Sequence, residues 1–284
     1  MKKAIIFTDL DGSLLDHRTY SYSAASPMLA TLKKNKIPLI PVSSKTFDEI
    51  IILRRRLNNN DPFIVENGAA IYIPKDYFSN QPSKTKIKIA KNDNSEFWEY
   101  STAKPRKYWV ELLSEIEMEF KNQFLTFSNL GDAGIVKYTG LSIEQAKRAN
   151  ERNFSEPLLW IGRQSKKNDF VNTIKSMGAD IVAGGRFLHV IDPMSCKGSS
   201  MEWLKNSYIE NEPKNNFLSI AAGDSANDIS MLNIADFSAI IRSPVHSRPK
   251  IDNKKNCYIS DQFGPLGWNQ IINRIIEENF KTKK

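Results

Sequence analysis

Short apolar runs separated by helix-like stretches mark both ends of the chain. Residues 4–8 form a run without polar interruption, as a strand covered on both faces requires. Residues 27–34 follow with helical character, and residues 37–42 give a second apolar run. Thr46 and Glu49 stand three apart at the head of the next stretch. That spacing is a capping box and predicts a helix through Leu57. Residues 63–66 read as a third strand, and Asn67-Gly68 joins it to residues 69–73 in the manner of a hairpin. Strands alternating with helices predict an open parallel sheet with right-handed crossovers.

The texture then changes. Residues 79–95 are rich in Pro, Ser, Lys and Asn, as a linker or an exposed edge strand would be. Helices are expected at 106–122 and after the capping box Ser142-Ile143-Glu144-Gln145, with a further one ending near Gly178. Strands are expected at 158–161, 180–183 and 187–191. The last block returns to the first pattern, with helices at 197–205, 228–232 and 268–280 and strands at 217–222 and 237–241. The expected fold class is therefore α/β: a parallel-sheet core built from residues 1–79 and 191–284, interrupted by an inserted α+β lobe at 80–190.

Composition narrows the function classes. With 284 residues, 40% hydrophobic and 25% charged, the chain can bury a large core and is neither disordered nor collagen-like. No apolar run approaches the roughly 20 residues of a membrane span, and the apolar stretch before Asp9 is too short for an export signal. Cys196 and Cys257 lack metal-ligand spacing and read as reduced thiols, so a cytoplasmic protein is expected. The net charge of +8 is spread over Arg54-Arg55-Arg56, the lysines at 84, 86, 88 and 91, and the C-terminal lysines. No aromatics alternate with these cations, which read as solvated faces, so neither a nucleic-acid nor a membrane partner is expected.

Three polar clusters each follow an apolar run: Asp9-Leu10-Asp11-Gly12-Ser13, Ser43-Ser44-Lys45 and Gly223-Asp224. In an open parallel sheet the carboxyl ends of the strands form the ligand-binding rim. Asp9, Asp11, Asp224 and Asp228 would repel one another there. A divalent cation resolves the repulsion, and an all-oxygen donor set with no His or Cys nearby points to Mg²⁺.

In this order the motifs resemble the haloacid dehalogenase superfamily: DLDGS as its first motif, Ser43 as the second, Lys197 as the third and GDSAND as the acidic fourth. Ser13 stands where many members carry Thr, and keeps the hydroxyl. The lobe between the second and third motifs resembles that superfamily's type-2 cap. VSSKT, FIVENGAAIYIP, GGRFLHVID and GDSANDISML are similar to the mannosyl-3-phosphoglycerate phosphatase family. The resemblance implies a Mg²⁺-dependent phosphatase in compatible-solute synthesis. Its substrate would be a phosphorylated glycosylglycerate, mannosyl or glucosyl, hydrolysed through an aspartyl-phosphate. Asp9 would be the nucleophile and Asp11 the general acid, then base. Asp9, Asp224 and the Asp11 carbonyl would hold the metal, with Asp228 and Asn227 supporting its shell. Lys197, Ser43 and the backbone at Gly12 would bind the phosphoryl oxygens.

For the rest of the substrate, Ser44, Lys45, Asn67, Gly68, Arg163 and Arg186 are candidates, with Trp160 or His189 against the sugar. Other expectations remain open. They include a sucrose-phosphate or generic sugar phosphatase of the same superfamily, a phosphomannomutase, and, outside enzymes, a receiver-like phosphoacceptor module. The protein would act as a monomer or homodimer.

Overall fold

A computed structural model describes residues 2–91, 94–184, 187–252 and 255–280. In chain order the first elements are β1 (Lys2–Thr8), α1 (Ser26–Lys34), β2 (Leu39–Pro41), α2 (Phe47–Leu57), β3 (Phe63–Val65), β4 (Ala70–Pro74), β5 (Lys86–Ile89) and β6 (Glu96–Tyr100). The middle of the chain forms α3 (Arg106–Glu115), β7 (Phe124–Thr126), α4 (Phe127–Thr139), α5 (Ile143–Asn150), β8 (Glu156–Trp160), α6 (Gln164–Ser176), β9 (Asp180–Gly184) and β10 (Phe187–Ile191). The chain closes with α7 (Lys197–Asn211), β11 (Asn216–Gly223), α8 (Ile229–Ile234), β12 (Phe237–Arg242), β13 (Cys257–Phe263) and α9 (Gly264–Asn279).

The two chain ends meet in one parallel sheet, ordered β13-β12-β11-β1-β2. Its central strands β1 and β11 are mostly apolar on both sides because helices cover both faces. On one face α1 and α9 bury Met28, Leu32, Trp268 and Ile272 against Ile6 and Ile220. On the other, α7 and α8 bury Met201, Leu204 and Leu232 against Ile5, Phe7 and Ala221. The Trp268 indole N–H donates to Thr8 Oγ1 at 2.9 Å, so the one polar atom of that large side chain is satisfied inside the core.

A second, antiparallel sheet is ordered β3-β4-β6-β5. A parallel bridge between Val42 and Ile64 joins it to the β2 side of the core. Strands β5 and β6, inside the stretch expected to be inserted lobe, belong to this sheet, β6 pairing with β4 and β5 with β6, and Phe97 and Trp98 are buried in the core clusters. The exposed-edge reading of residues 79–95 is realised as β5, whose Ile87 and Ile89 face solvent.

The third sheet, β7-β8-β10-β9, is antiparallel and belongs to the inserted lobe. Helices α3 and α6 pack on it through Trp109, Leu112, Phe170 and Ile174. The helix expected to reach residue 122 stops at Glu115. Strand β7 and helix α4 were not foreseen. Gly131 and Gly134 inside α4 lower its helix propensity and masked it. Both predicted capping boxes, at Thr46 and Ser142, are formed with both hydrogen bonds.

Candidate active site

Parallel register decides what meets at the rim. Thr8 at the end of β1 lies level with Ala222 of β11 and Pro41 of β2. The next residues are Asp9, Asp224 two positions past Ala222, and Ser43 two positions past Pro41. Asp9 continues the ladder, its N–H donating to the Ala222 carbonyl at 2.8 Å. The chain then folds back at Gly12, which has φ +90°; a Cβ there would meet Asp224 Oδ2 at 2.6 Å. Only glycine lets the loop pass this close to the second acidic strand end.

Lys197, the first residue of α7, enters the rim from the opposite face of the sheet. It is fully buried and donates to Asp9 Oδ1 at 2.6 Å and Asp228 Oδ1 at 2.7 Å. Asp228 Oδ2 in turn accepts the N–H groups of Asp224 and Ser225, both at 3.0 Å. Asp228 therefore orients both the ammonium and the acidic loop. Burial opposes the charge on Lys197, yet Asp228 and Asp9 outweigh it and hold the lysine pKa above its ordinary range. For Asp9 the largest effect is burial, which raises its pKa well above the usual carboxylate value. Lys197 opposes this, while Asp228 and Asp224 add to it.

Carboxylate oxygens of Asp9, Asp224 and Asp228 lie within 4.8 Å of one another. Three carboxylates gather here on one buried ammonium, and, against the expectation of no histidine nearby, His17 Nε2 stands 3.1 Å from Asp224. A hard dication fits the excess of carboxylates and their all-oxygen donor set. Asp11 sends its carboxylate elsewhere: Oδ2 accepts from Lys45 Nζ at 2.7 Å, and Oδ1 is buried without a partner.

Above the rim lies a cavity of about 750 Å³ between core and inserted lobe. Asp9, Asp11, Ser43, Ser44, Lys45 and Asn227 line it from the core. From the lobe come Arg148, Arg152, Phe187 and His189. Of the residues singled out for the substrate, Lys45 and Ser44 are thus in place. Asn67 stands at the rim, its N–H donating to the Ser43 carbonyl at 2.9 Å and its Oδ1 accepting from Asn227 at 3.3 Å. Gly68 serves packing: with φ +98°, its missing Cβ leaves room for the Cys196 carbonyl directly before Lys197. Arg163 is not brought to the cavity; it precedes α6 on the surface. Arg186 lies outside the described residues. Trp160 packs beside Phe170 in the lobe's own core.

Sequence reasoning missed Arg148, Arg152 and Glu66. Glu66 is fully buried, and its carboxylate accepts from Asn153 N–H at 2.9 Å, Phe154 N–H at 3.2 Å and Ser155 Oγ at 2.6 Å. It thereby ties the lobe to the loop after β3. The adjoining Arg152 donates to the Ser44 carbonyl at 3.0 Å, while its buried Nε has no partner. Glu66, Asn67 and Gly68 all have positive φ, at 48°, 60° and 98°. This short stretch is held in an unfavourable conformation by what it bonds. His189, whose buried Nδ1 is also unpartnered, has its pKa lowered to about 3 by burial and by Arg152.

Comparison with known proteins agrees with this geometry. A family model described as haloacid dehalogenase-like hydrolase matches residues 6–247. A glucosyl-3-phosphoglycerate/mannosyl-3-phosphoglycerate phosphatase of Methanococcoides burtonii is 34% identical over 277 residues, covering 98% of each chain. Its counterpart from Persephonella marina is 32% identical over 274 residues, covering 96% of this chain and 97% of that one. In fold, the chain is similar to a Thermoplasma acidophilum protein with TM-score 0.64, at 18% identity and covering 96% of this chain and 98% of the other. It is also similar to a Synechocystis sucrose-phosphatase with TM-score 0.59, at 12% identity and 98% coverage of both. The chain belongs to the haloacid dehalogenase-like hydrolases, in the branch of the glycosyl-3-phosphoglycerate phosphatases, and is a phosphoric monoester hydrolase.

Proposed function

We propose that this phosphatase removes the phosphate of mannosyl-3-phosphoglycerate, glucosyl-3-phosphoglycerate or both, with Asp9 as the residue that takes the phosphoryl group. The observation carrying this reading is Asp9 itself: a strand-end carboxylate held at 2.6 Å by a buried lysine, at the floor of a cavity whose far wall is cationic. An Asp9 oxygen attacks phosphorus while the bond to the glycerate oxygen breaks. Water then attacks the same phosphorus, phosphate leaves, and the carboxylate is restored. Mg²⁺, held by Asp9 and Asp224 with the Asp11 carbonyl, would offset the repulsion between nucleophile and phosphate.

The chain's own residues do the rest. Lys197 fixes the Asp9 carboxylate and offers positive charge to the transferring group. Ser43 and the backbone near Gly12 donate to phosphoryl oxygens. Asp11 is anchored through one oxygen by Lys45, leaving Oδ1 to give a proton to the departing alkoxide and take one from water. The glycerate carboxylate and the hexose lie against the lobe, where Arg148 and Arg152 supply cations beside those first sought at Lys45, Arg163 and Arg186. We assign the lobe the role of a cap that covers the site and excludes water.

The test is phosphate release with Mg²⁺ from mannosyl- and glucosyl-3-phosphoglycerate, beside sucrose 6-phosphate and mannose 6-phosphate. Turnover of the first pair well above the second is expected; equal turnover of all four would overturn the substrate assignment. Asp9→Asn should lower turnover on the order of 10⁴-fold or more, and wild-type rates in that protein would remove Asp9 from the mechanism.

A further inference from the structure

Beside the acidic rim the cavity carries donors that phosphoryl transfer leaves idle. His17 lies in the loop after β1 and His246 in the segment after β12, with ring centroids 5.3 Å apart. One nitrogen of each and a carboxylate oxygen of Asp224 all lie within 4.8 Å of one another. His17 Nε2 is 3.1 Å from Asp224 Oδ2 and 3.2 Å from Ser243 Oγ. Two ligands bound at zinc's usual distance of about 2.0–2.1 Å in a tetrahedron stand roughly 3.3 Å apart. The His17–Asp224 edge already has that length.

The local chain supports the arrangement. Ser243 Oγ accepts the N–H groups of Val245 at 3.4 Å and His246 at 3.2 Å, a turn that carries His246 back toward His17. Asp224 is fully buried, whereas both histidines are half-buried and line the cavity, so an ion can reach them from solvent. The donor class differs from that of the rim. Asp9, Asp224 and Asp228 offer oxygen alone, which suits a hard ion. Two imidazoles and one carboxylate suit a borderline transition-metal dication.

We infer that His17, Asp224 and His246 form a binding site for a transition-metal dication of the zinc class. The site shares Asp224 with the all-oxygen rim, so an ion held by the histidines withdraws that carboxylate and inhibits the phosphatase. Binding rests on the donor geometry alone; only inhibition rests on the role given to Asp224 under the proposed function.

The experiment is titration of the metal-free full-length protein with Co²⁺, read by its visible ligand-field absorption, for wild type, His17→Gln and His246→Gln. Circular dichroism of each variant verifies that it is folded. One equivalent of Co²⁺ is expected in wild type, with affinity falling roughly tenfold or more in each variant and excess Mg²⁺ weakening Co²⁺ binding. Unchanged spectra and affinities in folded variants, or no bound Co²⁺ in wild type, would overturn the site. Zn²⁺ inhibition of phosphate release should weaken in His246→Gln; undiminished inhibition would overturn the regulatory half. A protein that binds Co²⁺ through both histidines but spares glycosyl-3-phosphoglycerates would sink the substrate assignment and leave this site standing.

Discussion

The two walls of the cavity are built on different principles. The core wall consists of strand ends and one helix start, and its floor is bonded to itself: Lys197 bonds Asp9 and Asp228, and Asp228 bonds the Asp224 and Ser225 amides, while Asp11 Oδ1 beside them lacks a partner. The lobe wall consists of a helix end, the turn after it and part of β10, and it leaves Arg152 Nε and His189 Nδ1 buried without partners. A floor bonded to itself in this way has one geometry whatever enters, which suits a reaction common to many substrates. An unsaturated wall gains its missing hydrogen bonds from the ligand, and so discriminates among ligands.

That contrast can be broken most severely at Lys197. Lys197→Met leaves Asp9 and Asp228 buried without their cation, so metal-free protein should lose about 3–5 kcal/mol of stability. Turnover should fall about 10²–10³-fold. Chemical denaturation with and without Mg²⁺ checks the first, steady-state kinetics the second. A stability unchanged in the absence of metal would show that the wall is not held by this charge balance.

Glu66 tests the seam between the walls. Glu66→Gln replaces an acceptor of three hydrogen bonds by a neutral amide, at a cost of about 1–3 kcal/mol. Because Arg152 follows from the segment Glu66 holds, KM for the full substrate should rise while kcat changes little. Hydrogen exchange at residues 153–155 should accelerate, and equal exchange with an unchanged KM would deny Glu66 a positioning role.

Near neutral pH the smallest effect lies in the lobe. Burial, then Arg152, holds the folded pKa of His189 near 3, below its unfolded value of 6.5. Unfolding therefore takes up a proton below pH 6.5, and stability falls as pH drops from 6.5 toward 3. The slope from this one group is at most about 1.4 kcal/mol per pH unit. His189→Gln should flatten the pH dependence of Tm across that window, and parallel curves would place His189 in contact with solvent.

The difference between the walls also explains what the sequence disclosed. Asp9, Ser43, Lys197 and Asp224 follow apolar runs or open a helix, and parallel register then leaves them only one place to go. The capping boxes at Thr46 and Ser142 were legible because both partners sit within one turn. Glu66 was not, since its partners are 87–89 residues away and Asn67-Gly68 read simply as a hairpin turn. Arg152 and Arg163 look alike as letters; the packing of the 150–155 turn against the core separates them. Strand β13 was hidden by its position at a sheet edge, where most of its residues meet water and lose the apolar pattern.

The left-handed run Glu66-Asn67-Gly68 has a mechanical consequence. Its first side chain grips the lobe, its second residue's amide grips the strand end bearing Ser43, and the carbonyl of its third accepts from Ser200 Oγ at 2.6 Å, on the helix that starts at Lys197. If the lobe acts as the proposed cap, swinging it open would pull on all three at once and cost the groups assigned to phosphate their alignment. Bulk water entering such an open mouth would then meet a disarmed nucleophile.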